Sequence, residues 1–103
     1  MEAKNESTII GTADTYTVMF DCDSTDGQFI NCYSVFNSGT ESATIEISLF
    51  DDADTLLVTL YKFALSPNTT FERKVMTPIQ NTQQIKIKST KTGVHAFLGY
   101  AII

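Results

Sequence analysis

The sequence predicts an all-β fold, an antiparallel β-sandwich of jelly-roll or immunoglobulin-like type with about eight strands. Three observations carry this. Ile, Val, Thr, Phe and Tyr recur in short runs, the residue types that fit a pleated, half-buried surface. The runs are bounded by Gly, Pro, Asn, Asp and Ser at intervals of about ten residues, the spacing of a sandwich. No stretch of a dozen residues keeps a 3.6-residue period, so no long helix is expected. A chain of 103 residues is long enough to bury one core without metal or disulfide staples.

Residues 1–7 are polar and read as a flexible arm, mobile until a partner orders it, which leaves 8–103 as a single sandwich domain. A short strand over Thr8–Ile10 stops at Gly11, and Tyr16–Asp21 follows before a polar loop. Gln28–Asn37 is apolar on both sides, with Phe29, Tyr33 and Val35 on one and Ile30, Cys32 and Phe36 on the other, as in a central strand. After the turn at Asn37–Thr40, Ala43–Phe50 points Ile45, Ile47 and Leu49 one way and Thr44, Glu46 and Ser48 the other. Asp51–Asp54 is a turn into a strand over Leu56–Phe63, and Ser66–Thr69 a turn into Thr70–Met76, where Pro78 is expected to break the pairing. Gln84–Ser89 alternates Ile85 and Ile87 with Lys86 and Lys88, and a turn at Lys91–Gly93 leads to the last strand.

Composition narrows the function. The net charge of −5 disfavours a nucleic-acid partner, which calls for clustered Lys and Arg. Residues 1–60 hold eleven acids against Lys4, and residues 61–103 hold six bases against Glu72. Strand pairing inside one chain would neutralise this division, and so would identical subunits docked head to tail. The polar start and the lack of any long apolar run give no sign of a signal peptide or a membrane span. In the reducing compartment this implies, Cys22 and Cys32 read as small buried hydrophobes; a disulfide between neighbouring strands is the alternative in an oxidising exterior.

No catalytic, metal or cofactor site is expected. Asp21, Asp23 and Asp26 beside Gly27 resemble a calcium loop, but the glycine comes one place late and Cys32 stands where a bidentate Glu is needed. Asp51, Asp52 and Asp54 fit an ordinary Asx turn. His95, the single histidine, sits in an apolar strand with no nucleophile marked beside it, and reads as a packed or interfacial residue.

The last strand is the most informative. Val94, Ala96, Leu98, Tyr100 and Ile102 share one face; His95, Phe97, Gly99, Ala101 and Ile103 share the other. Both faces are mostly apolar, so the second face is expected beneath another sheet or another subunit. The candidate interface residues are therefore His95, Phe97, Ala101 and Ile103, with Phe50 added because it falls on the polar face of its own strand.

From Thr55 onward the layout has a recurring order. Leu65, Pro67 and Thr70 mark a strand end, a proline turn and re-entry; Pro78 and Ile79 follow, then Ile85 and Ile87, then Gly93 and Val94 opening an apolar strand through Tyr100. With the turn at Asn37–Thr40, this resembles small virion structural proteins of tailed bacteriophages. The resemblance implies a sandwich that decorates or cements a capsid, or joins head and tail parts, and it brings no catalytic residue. The partners it implies are further copies of the chain, the major capsid protein or other virion proteins, with no membrane involved. The location it implies is the virion, assembled in the host cytoplasm. Two other readings stay open: a receptor- or glycan-binding module of a tail fibre, and a cellular immunoglobulin-like interaction domain.

Overall fold

A computed structural model describes residues 2–23, 25 and 27–102, and for residues 2, 3 and 102 the backbone alone. Its strands, in chain order, are β1 (Glu2–Ile10), β2 (Thr17–Asp21), β3 (Gln28–Asn37), β4 (Ala43–Phe50), β5 (Leu56–Leu65), β6 (Thr70–Ile79), β7 (Gln84–Ser89) and β8 (Val94–Ile102). They form two four-stranded antiparallel sheets, ordered β1-β8-β3-β6 and β2-β7-β4-β5. The first strand pairs with the last, the second with the seventh, the third with the sixth and the fourth with the fifth. The chain is thus one long antiparallel ribbon rolled up, and the β3–β8 and β4–β7 pairs seal the roll. That is the jelly-roll solution to burying one face of every strand. It decides between the two sandwich types that the strand spacing left open.

Alternation puts one residue in two into the core. Ile45, Ile47, Ile85 and Ile87 of one sheet meet Ile30, Val35, Val94 and Leu98 of the other, all at 0% exposure. Cutting a fully buried Ile such as Ile47 to Ala should cost about 2–5 kcal/mol. The core closes at one end through Asn37, whose Nδ2 donates to the carbonyls of Glu41 at 2.8 Å and Leu65 at 3.0 Å. Its Oδ1 accepts from the Gly39 amide at 2.9 Å. One buried amide therefore ties the β3–β4 turn to the end of β5.

Three local expectations are corrected. First, β1 begins at Glu2, and residues 2–7 lie in the ladder opposite Phe97–Ile102 in place of a free arm. Lys4, Asn5 and Glu6 are exposed, so backbone pairing holds this stretch, and a reading based on apolar burial does not see it. Second, β6 runs through Pro78, which sits opposite Phe29. As an edge strand, β6 has one side where no amide donor is required. Third, a register shift between Ile30 and Cys32 turns Ile30 to the same side as Tyr33 and Val35. Strict alternation had divided them.

Candidate interaction surface

The outer face of β1-β8-β3-β6 is built around β8. Opposite His95 stand Ile9 of β1 and Phe36 of β3; opposite Phe97 stand Ser7 and Ser34. These residues line a shallow depression of about 520 Å³. Ile9 is 61% exposed and Phe97 39%. The Phe36 ring is half-buried, its centroid 6.3 Å from that of His95 at an interplanar angle of 53°. A second depression, about 290 Å³, adjoins it through Ser34 and Phe97, with Cys32, Glu72 and Lys74 along its walls. Phe97 is the ridge between the two.

Further along β8 this face closes. A Cβ on Gly99 would lie 2.6 Å from both Asn31 Oδ1 and Cys32 Sγ, so the glycine leaves the room that these two β3 residues fill. Ala101 is 6% exposed. Of the residues singled out from sequence, His95 and Phe97 thus share an open apolar face, Ala101 is covered within the chain, and Ile103 lies outside the described residues.

Phe50 sits elsewhere. It projects from the outer face of β2-β7-β4-β5 beside Gln84, yet is only 6% exposed. Tyr16 packs edge-on against it at 4.9 Å and 72°, and the Lys86 ammonium lies 4.6 Å from its ring centroid. Its cover comes from its own chain. Around it, Glu46 takes Lys88 at 2.9 Å and Lys62 at 3.5 Å, Lys86 pairs with Asp54, and Lys88 lies 4.8 Å from the Tyr16 ring. Hydrogen bonding from Lys88 is the first cause that holds the Glu46 carboxyl below the usual carboxylate range. The same bond pushes the Lys88 ammonium up.

At one end of the sandwich, Asp21, Asp23 and Asp52 line a depression with Asn81 and Thr82. Among the described residues no three acids, His or Cys are placed to hold a metal ion. Asp51 instead organises its own turn, accepting from the amides of Ala53 at 3.0 Å and Thr55 at 2.9 Å. Cys22 is buried with its thiol directed at the Ile79 carbonyl at 3.7 Å, Cys32 is half-buried on β3, and the two are not joined in a disulfide.

Sequence reasoning missed Ile9 and Phe36. The sequence places Ile9 in a short strand that stops at Gly11 and Phe36 on one side of a central strand, and marks neither as a contact. Only the β1–β8–β3 register sets them beside His95.

No protein-family model matches the chain, and no curated protein matches it. Solved structures do. A structure of Bacillus endospore appendages, described as disulfide-linked pili, aligns with a TM-score of 0.60 at 10% identity, over 99% of this chain and 88% of that one. The globular domain of zebrafish complement 1qA aligns with a TM-score of 0.56 at 7% identity, over 98% and 96%. An infectious bursal disease virus structure aligns with a TM-score of 0.52 at 12% identity, over 98% of this chain and 31% of that one. At these identities the likeness shows a shared fold.

Proposed function

We propose that this chain is a non-enzymatic structural subunit of an assembled particle, and more narrowly a decoration or cement protein of a tailed-bacteriophage head. The observation that carries the reading is the open apolar face of Ile9, Phe36, His95 and Phe97. Contiguous exposed apolar surface marks a contact with another macromolecule. The groove also brings hydroxyls of Ser7 and Ser34 near His95 with no carboxylate among its lining residues, so the orienting acid of a hydrolase triad is lacking there. Structures that share the fold include one of disulfide-linked pili and one of a virus, which supports a role in an assembly. The phage assignment rests on the strand and turn order from Thr55 onward.

The deciding substitution is Phe97→Asp. On an outward, partly exposed position it should leave the chain folded and monodisperse while removing the anchor of the contact. Particles produced with this variant in place of the wild type should lack the protein and lose their contents at lower temperature. Full occupancy by the variant would overturn the reading. A tail-fibre role would instead leave head stability unchanged and abolish attachment to the host.

A further inference from the structure

Both sheets end on the same two flanks, β1 beside β2 and β5 beside β6. On the second flank, rings from both strands meet. Phe63 stacks on Phe71 at 4.0 Å, and the Arg73 guanidinium lies 5.5 Å from the Tyr61 ring centroid and 5.6 Å from that of Phe71. Next to this cluster β5 opens with Leu56, Leu57 and Val58, which are 43, 48 and 45% exposed. Edge strands usually carry Lys, Pro or charge that blocks pairing with another chain. The β6 edge has Glu72, Arg73, Lys74 and Pro78; β5 has Lys62 alone, and bulges against β4 that still leave its first three residues apolar.

Direction and charge say what fits there. In an antiparallel sheet of four strands the two edge strands run opposite ways. A copy displaced sideways therefore presents its β2 antiparallel to β5, and its β1 antiparallel to β6. Among side chains the structure describes, the strands of the first flank carry Glu6 and Asp21 against Lys4, and those of the second Lys62, Arg73 and Lys74 against Glu72. An acidic flank facing a basic one is favourable, whereas a twofold β5–β5 pair would bring two basic flanks together.

We propose that the β5 edge is occupied by β2 of a second copy of this chain, in a head-to-tail contact that continues the β2-β7-β4-β5 sheet from subunit to subunit. Val18, 45% exposed, is the apolar residue that β2 contributes. Backbone hydrogen bonds supply the affinity of such strand addition and side chains its register. A heterologous contact of this kind closes into a ring or grows into a filament, according to the rotation between copies. The surface is separate from the Phe97 face, so self-association and attachment to a particle are independent properties.

The experiment is sedimentation velocity on the purified full chain over a concentration series, with circular dichroism to confirm folding. The wild type should associate. Leu57→Glu places an acid opposite the acidic flank, and Val18→Lys places a base opposite the basic one. Each alone should weaken association by about tenfold or more. A 1:1 mixture of the two variants should recover it, because the altered edge of each complements the altered edge of the other. Should Leu57→Glu fail to fold, Val58→Glu replaces it. A wild type that stays monomeric at about 100 µM overturns the proposal. So does a Val18→Lys chain that associates normally, the mark of a twofold β5 contact, or a mixture that shows no recovery.

Discussion

On the outer face of β2-β7-β4-β5, Lys62 and Lys88 converge on Glu46, Lys86 reaches Asp54, and Tyr16 folds over Phe50. On the outer face of β1-β8-β3-β6, Ile9 and Phe97 stand open with Phe36 and His95 between them. The two sheets have the same number of strands and the same alternation, yet the middle of one face has been finished with the chain's own charges and rings. The other has not. An aromatic on the outer side of a strand is thus ambiguous by itself. Whether it is core-like or contact-like depends on what an adjoining loop lays over it.

Substituting the two phenylalanines gives the sharpest test of that contrast. Phe50→Ala should cost about 3 kcal/mol, because it empties a site closed by Tyr16 and Lys86. Phe97→Ala should stay within about 1 kcal/mol of wild type, its ring being partly in water already. Urea denaturation of both variants measures the difference; equal losses would mean that the two faces are alike.

A smaller effect is expected from Glu46→Gln, which removes the acceptor shared by Lys62 and Lys88. Exposed pairs of this kind contribute at most about 1 kcal/mol. Because the folded chain lowers the Glu46 pKa, the contribution is present above the unfolded carboxylate value of about 4.3 and is lost as pH falls through the folded value. The raised Lys88 pKa works the other way: its share is present below about pH 10.4 and is lost as pH rises through the folded value. The variant and the wild type should therefore differ at neutral pH and converge in acid, as read from thermal unfolding across a pH series.

The smallest effect at neutral pH belongs to Tyr33→Phe, inside the core that both faces share. Burial is the main cause that pushes the Tyr33 hydroxyl above its ordinary range, with Tyr61 adding to it. Thr77 offsets this in part, yet the hydroxyl makes no hydrogen bond of ordinary geometry. A phenol held neutral by the fold contributes its stability below about pH 10 and loses it above. Tyr33→Phe should leave neutral stability unchanged or slightly higher, and should flatten the alkaline limb of the stability curve.

Much of this molecule was legible in its sequence. The period of two, the turn residues near Asn37, Asp51 and Lys91, and the double-sided β8 determine an all-β sandwich and the inward set of Ile45, Ile47, Ile85, Ile87, Val94 and Leu98, because alternation is a local property of a strand. The tertiary structure decided the rest. The rolled pairing that makes the fold a jelly roll, the strand formed by polar residues 2–7, the phase change at Ile30–Cys32 and the cover over Phe50 all depend on partners far along the chain. Pairing satisfies backbone groups whatever the side chains are, and packing depends on which distant residue arrives, so neither is written in the spacing of one segment.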